Sequence, residues 1–402
     1  LKKSGSLFAL VCVVLIGMTG FGVFLPIFPF LALDLGATPT AATIAMGAYS
    51  FGQLIASPLW GRLSDKVGRK PVLIAGLLGG VASYLWLSRA ASVEELGAAR
   101  LFGGLMAGNV GAAFAATADI SDDDTRARNM GFLGAAVGLG FIAGPALGAA
   151  FIGDAPSRED FARVCVISAM LGACATVGAL LFFKETAQPS LHDTAKSGRV
   201  RRLALLTSRP ALARLCAVVL FFITAQALME TTFGLWAEAA LSWGPREVGW
   251  TLAALGVGAV LLQGGLAGRA ARMLGERVTL LIGLGLCAAG FGGLAVAQTV
   301  AALAAALGAL VAGIGLSTPA LNALVAEQAA AHERGAVMGL SQSASALGRV
   351  LAPLGAGLVF EGMGASAPFI AAALLVLLAV FLAQETPSRF SRDSAARSHP
   401  DP

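Results

Sequence analysis

The sequence predicts an all-α membrane protein, with twelve transmembrane helices in two pseudo-symmetric six-helix bundles. Three observations carry that expectation. The chain of 402 residues is 57% hydrophobic and only 13% charged, whereas an average soluble domain is about a quarter charged. Its 51 glycines would weaken soluble helices but suit membrane helices, where small residues let backbones approach. The chain also matches itself at a near-constant offset. A shift of 208 lays Asp119 on Glu327, Arg126 on Arg334, Gly140 on Gly348 and Pro145 on Pro353. A shift of 207 lays Gly61 on Gly268, Gly68 on Gly275 and Lys70 on Arg277.

A bilayer crossing takes about 20 apolar residues. Such runs fall near 7–31, 42–60, 71–89, 93–118, 127–152 and 161–183. After a polar stretch they resume near 211–238, 245–267, 278–297, 300–326, 335–360 and 366–384. They exceed barrel-strand length and do not alternate, and the first is too long for a signal peptide. The expected organisation is a six-helix bundle at 1–183, a linker at 184–210, a second bundle at 211–388 and a polar tail at 389–402. Two parallel six-helix repeats with a site between them form a transporter architecture.

Lys and Arg set the orientation. One side holds Lys2 and Lys3, then Arg62, Lys66, Arg69 and Lys70, then Arg126 and Arg128, the linker cations, and Arg269, Arg272 and Arg277. The other side shows little beyond Arg89, Arg158, Arg163 and Arg246. The positive-inside rule then places both termini and the linker in the cytoplasm. The net charge of +5 is read as topogenic rather than as a nucleic-acid stripe, and the basic stretch 189–202 as a loop that meets anionic lipid. Five cysteines sit inside apolar spans without metal spacing, and His192, His332 and His399 lie in loops or the tail, so neither metal nor cofactor is expected. No nucleotide-binding GxxxxGK[ST] run is present, and no nucleophile–base pair suggests an enzyme.

Among intramembrane polar groups, Glu230 in "FFITAQALMETTFGLW" is the first candidate for carrying protons. No charge precedes it for more than ten residues, and taking a proton is the cheapest way for a lone carboxylate to stay in a membrane. The alternative is a structural carboxylate bonded to a neighbouring helix. Asp34, closing the first span at the outer face, is a second candidate, better suited to a helix end or gate. Arg349 in "SASALGRVLAP" is a structural partner or a contact for an anionic substrate. Gln53, Asn109, Gln226, Gln263, Asn322 and Gln342 either line a cavity or link helices. Phe21, Phe24, Tyr49, Phe233 and Trp236 are candidates for an apolar wall, and equally for core or lipid-facing packing.

The run "GRLSDKVGRKP", 61–71, interrupts this apolar pattern. Gly61 and Gly68 permit a tight turn, Arg69 can reach a carboxylate across a helix end, and Asp65 lies near possible helix N-termini, which favour anions. A latch between the halves is expected. In the second copy Asp65 becomes Arg272 and Arg69 becomes Glu276, so that copy is expected mainly to set topology.

These residues resemble the major facilitator superfamily over nearly the whole chain. "GRLSDKVGRKP" is similar to its signature loop between helices 2 and 3, and "RLFGGLMAGNVGAA" to its arginine-bearing motif of helix 4. "GLGFIAGPALGAA" is similar to the Gly-Pro motif of helix 5 in the antiporter branch. "GFGVFLPIFPFLALDLGA" and "ADISDDDTRARNMGFLGAAVGLGFIAGPALG" resemble twelve-span drug:proton antiporters of the tetracycline-efflux type. The resemblance implies the major facilitator fold and a part for Arg100 in proton coupling, where the bland reading is a snorkelling arginine. It also implies a gate role for Asp119 with Arg126, and a leak-limiting, closely packed helix built on Gly140, Gly144, Pro145 and Gly148. The implied activity is proton-driven export of lipophilic small molecules by alternating access. Protons, substrate and membrane lipids are its partners, and a monomer suffices. A same-fold transporter of a sugar, lipid or other metabolite is the alternative, and a non-transporting receptor is a further one.

Overall fold

The computed structural model describes residues 2–153, 156–186, 205–329 and 333–384, which are helical throughout apart from short connections. Most of the expected linker (187–204), the tail at 389–402 and the side chain of Gln263 lie outside the described residues. In chain order the helices are α1 Lys2–Phe24, α2 Phe28–Asp34, α3 Pro39–Val67, α4 Arg69–Leu87, α5 Val93–Leu105, α6 Asn109–Asp119 and α7 Asp123–Ile152. There follow α8 Arg158–Phe182, α9 Pro210–Leu241, α10 Pro245–Leu274, α11 Glu276–Val296, α12 Val300–Glu327, α13 Arg334–Met363 and α14 Ala367–Gln384.

Among the described residues ten helical stretches are long and apolar enough to cross a membrane, or eleven if the pair Pro245–Leu262 and Ala267–Leu274, bent by 44°, counts as one. The remaining expected crossing, 42–60, falls inside α3. With 29 residues that helix is on the order of 43 Å long, enough to span, but Gln53, Ser57 and its charged last turn dilute its apolarity. Two expected spans are broken. Pro26 has no N–H and disfavours helix at Leu25, so α1 stops and the chain restarts as α2. The fourth span divides at Met106–Gly108 into α5 and α6.

The helix ends repeat the offset seen in the sequence. α3 ends at Val67 and α10 at Leu274, while α4 begins at Arg69 and α11 at Glu276. Ser92 accepts from the Glu95 N–H to cap α5, and Thr299 accepts from the Ala302 N–H to cap α12. These side chains satisfy amides that a helix start leaves unpaired. Between α3 and α4, and again between α10 and α11, stands one glycine in the left-handed region, Gly68 at φ 107° and Gly275 at φ 82°.

By contacts the chain forms two compact units, Leu1–His192 with Leu228–Val257 and Arg349–Pro368, and Asp193–Ala227 with Gly258–Gly348 and Phe369–Pro402. In the first, α1 packs on α7 and α8, α3 on α5, and α4 on α8, around Leu10, Leu73, Leu77, Ala113, Leu133 and Phe183. Gly144 of α7 lies so close to α1 that an added Cβ would meet Gly22 Cα at 2.5 Å, and one on Gly140 would meet Met18 Cβ at 2.5 Å. In the second unit α11 packs on α12, where a Cβ on Gly290 would meet the Leu310 side chain at 2.6 Å.

The unit boundaries cut α9, α10 and α13 because parts of these helices pack on the first half of the chain. At the end of the first unit remote from Gly68, α3 meets α13. A Cβ on Gly47 would approach Pro353 Cβ to 2.5 Å, Gly357 presses on Thr40, and Glu361 accepts from the Thr40 N–H at 2.8 Å. Beside it α7 meets α10, where a Cβ on Gly249 would lie 2.9 Å from both the Ala149 Cβ and the Pro145 carbonyl. The repeat relates these two contacts, since Ala149 and Gly357, like Pro145 and Pro353, are 208 apart.

Candidate functional site

The charged run at 61–71 is a single-residue turn rather than a loop. Helix α3 continues through Gly61, whose Cα faces open space, to Val67, so Gly61 makes no turn and Gly68 alone does. Asp65 therefore stands in the last turn of α3. Arg69 gathers the charges, its Nη1 donating to Asp65 Oδ1 at 2.6 Å and to Ser64 Oγ at 3.1 Å, and its Nε to Asp119 Oδ2 at 2.9 Å. Asp119 is thus held by Arg69 from across the bundle, while Arg126 is exposed in the first turns of α7. Charge-assisted bonds from one planar fork to two carboxylates fix α3, α4 and α6 to one another.

The sequence reading missed Glu185, which it left in the linker. Glu185 accepts from the Arg69 and Lys70 backbone N–H groups at 2.8 and 3.0 Å, satisfying two donors that the start of α4 leaves open. In return Lys70 Nζ donates to the Leu180 carbonyl at 2.8 Å, near the end of α8, where carbonyls lack helical partners. The signal available was an acidic residue following a helix end in "FFKETA". A cavity of about 360 Å³ adjoins the network, lined by Gln53, Trp60, Asp65, Arg69 and Ala112 among others. Trp60 Nε1 donates to the Leu105 carbonyl at 2.6 Å, an acceptor exposed by the break between α5 and α6.

Glu230 on α9 and Arg349 on α13 form an ion pair, with Arg349 Nη1 donating to Glu230 Oε2 at 3.1 Å and the side chains 38% and 44% exposed. The carboxylate is therefore not isolated; the arginine that the sequence reading treated separately is its partner. An ion pair this accessible is worth about 1 kcal/mol or less, so it can be opened and remade. Asp34 lies 3.9 Å from Arg158 in an exposed pair at the end of α2, consistent with a helix-end position.

Arg100 is only 5% exposed. Four aromatic rings surround its guanidinium, with centroids at 4.6 Å for Tyr49, 5.6 Å for Phe21, 5.7 Å for Phe28 and 5.8 Å for Phe24. Each desolvated cation–π contact contributes up to about 2 kcal/mol. The side chain does not snorkel, and among the described residues no carboxylate contacts it. Asn109 lines a small cavity beside it.

The other sequence candidates scatter. Phe24, Phe233 and Trp236 are each 1% exposed, which is packing rather than a wall open to substrate. Gln226 is half-buried on α9, and Asn322 and Gln342 are exposed on α12 and α13.

Residues 10–238 and 215–400 match the Major Facilitator Superfamily. The chain is 33% identical over 360 residues to the class G tetracycline resistance protein of Vibrio anguillarum, covering 88% of this chain and 89% of that one. It is 29% identical over 363 residues to the class B tetracycline resistance protein of Escherichia coli, covering 88% and 87%. The structure of a bacterial homologue of the human lysosomal transporter Spinster superposes with a TM-score of 0.80 at 15% identity, over 96% of this chain and 97% of that one, and shows the fold. The repeated helix ends, the Arg69 network and these likenesses agree: the chain belongs to the Major Facilitator Superfamily, in the branch that resembles the tetracycline resistance proteins.

Proposed function

We propose that this protein is a proton-coupled exporter of lipophilic small molecules, working by alternating access in a bacterial inner membrane with both termini in the cytoplasm. The observation that carries the proposal is the accessible Glu230–Arg349 pair inside apolar helices. A charge in a membrane span is costly unless it is paired, wet or neutralised. Glu230 can satisfy that condition in two ways, by holding Arg349 or by holding a proton. A proton arriving on Glu230 releases Arg349, and its departure to the cytoplasm restores the pair. Two stable states of one carboxylate are what coupling a gradient to a conformational cycle requires.

The two contacts α3–α13 and α7–α10 form the outer gate of this scheme. They are built from Gly47, Gly249, Gly357 and the two prolines, whose small or rigid surfaces can part and reseal without reordering long side chains. On the cytoplasmic side the Arg69 network with Glu185 ties α3, α4, α6 and the end of α8 into one body, which moves as a unit in the cycle. The Gly140, Gly144 and Gly148 stripe seats α7 against α1 and limits leakage along it. Arg100 is the buried arginine of the first half, where the resemblance gives it a part in proton coupling, and small molecules, protons and lipids are the partners of the cycle.

Tetracycline is the first substrate to try, since the relatives named above are tetracycline resistance proteins. In proteoliposomes with an imposed pH gradient, wild-type protein is expected to accumulate tetracycline or another lipophilic drug of a panel against its gradient. Glu230→Gln is expected to abolish gradient-driven transport while leaving the protein folded. Full proton-driven transport by that variant would refute Glu230 as the exchange site, and no flux with any drug of the panel would refute the drug-export assignment.

A further inference from the structure

Among the described residues Arg100 is a buried cation without a counter-charge. Its Nε has no hydrogen-bond partner, and the carboxylates that could have served it are engaged elsewhere, Asp34 with Arg158, Asp119 with Arg69 and Glu230 with Arg349. Aromatic faces lower the cost of the charge but do not cancel it, and a buried charged donor left unpaired is unusual enough to direct attention to the space beside it.

The space for one is present. A cavity of about 50 Å³ lies against Arg100, lined by Tyr49, Tyr84, Asn109, Ser83 and Ser168 among others. That volume exceeds what one water needs, roughly 10–15 Å³ on a comparable measure, and suits a monatomic ion. Ser83 and Ser168 donate their hydroxyl protons to the Ala99 and Val164 carbonyls. The side chains of Tyr49, Tyr84 and Asn109 make no hydrogen bond among the described residues. Two tyrosines, one asparagine and Arg100 thus line a single small cavity, and their side chains hold N–H and O–H donors without partners, a set that matches an anion. The repeat does not duplicate it, because an offset of 207 places the buried apolar Leu307 where Arg100 stands.

We infer that this cavity binds one small monovalent inorganic anion, of the size of chloride, between the Arg100 guanidinium and the Tyr49, Tyr84 and Asn109 donors. The bound anion neutralises the first half's buried cation and fixes the aromatic cage that α1, α2 and α3 build around it. This site does not depend on which molecule the protein exports.

The test is thermal unfolding of the purified full-length protein, titrated with sodium chloride against sodium gluconate at constant ionic strength, gluconate being too large for the cavity. Chloride is expected to raise Tm saturably over gluconate. Both Arg100→Gln and Tyr84→Phe should raise the half-saturating concentration at least fivefold. Tyr84→Phe keeps the ring and removes one hydroxyl, so it carries the test if Arg100→Gln fails to fold. Equal Tm in the two salts, or an unmoved half-saturation in Tyr84→Phe, would overturn the assignment. Bromide-soaked crystals should show anomalous density in the cavity, and solvent alone at saturating bromide would overturn it too. None of these readings involves transport, so they stand or fall apart from the export proposal.

Discussion

Gly47 of α3 rests against the ring of Pro353 on α13, with room for no side chain between them, since an added Cβ would stand 2.5 Å from Pro353 Cβ. Gly47→Val therefore overfills the contact, at a cost of about 1–3 kcal/mol borne only by the state in which α3 and α13 touch. Disulfide trapping between cysteines placed at Thr40 and Glu361, in a background without the native cysteines, should fall at least fivefold, and transport should fall with it. Unchanged trapping would remove this contact from the gate.

The glycines of α7 are not equivalent. Gly144→Ala would press a methyl group into the α1 backbone at Gly22, whereas a Cβ on Gly138 meets nothing within 4 Å. Gly144→Ala is expected to lower stability by about 1–3 kcal/mol and Gly138→Ala to leave it unchanged or slightly improved. Thermal unfolding of the two variants in one detergent measures the difference.

The Glu230–Arg349 pair separates function from folding. Arg349→Gln should leave the protein folded, because Glu230 can answer the loss of its partner by taking a proton. Yet proton-driven transport should drop at least tenfold, as Glu230 loses the partner it alternates with. Counterflow of substrate without a pH gradient should survive better than driven transport. Equal loss in both assays would assign the pair to substrate binding instead.

The two glycine turns make a matched comparison. Gly68 (φ 107°, ψ 162°) and Gly275 (φ 82°, ψ 157°) both lie in a region that glycine alone adopts readily, so alanine at either is strained by about 1–3 kcal/mol. At Gly68 the new Cβ also collides with the Glu185 carboxylate, whereas at Gly275 it meets nothing within 4 Å. Gly68→Ala should be the more damaging, and Glu185→Ala should recover part of its loss. Thermal unfolding of Gly68→Ala with and without Glu185→Ala should report that recovery.

Fold class and repeat were legible because both are properties of long runs. Twenty apolar residues need no partner to be recognised, and a 207–208 offset survives in the residues that end helices, such as Gly68 and Gly275. The site was legible in part. That Arg69 would meet a carboxylate across a helix end, with Asp65 close by, could be read from charge type and order; its reach to Asp119 could not, because the sequence set Asp119 beside Arg126 and 50 residues separate it from Arg69. Glu185 could not, because its role is to accept from two backbone amides that carry no residue-type signature. The pairing of Glu230 with Arg349 was equally hidden, since 119 residues separate them and only the packing of α9 near α13 brings them together. The emptiness around Gly61 and the pressure on Gly47 look alike in a sequence, and only contact distinguishes them.

A one-residue joint has a mechanical consequence. With Gly68 as the whole connection, α3 and α4 share no slack, and Glu185 and Lys70 couple them to the end of α8. The three helices should swing as one crank, so any push on the free end of α3 reaches α8 without being absorbed on the way. Spin labels on α4 and α8 would then keep a constant separation through the transport cycle. The same rigidity makes this turn a poor place for an inserted tag, since even one added residue would uncouple the crank.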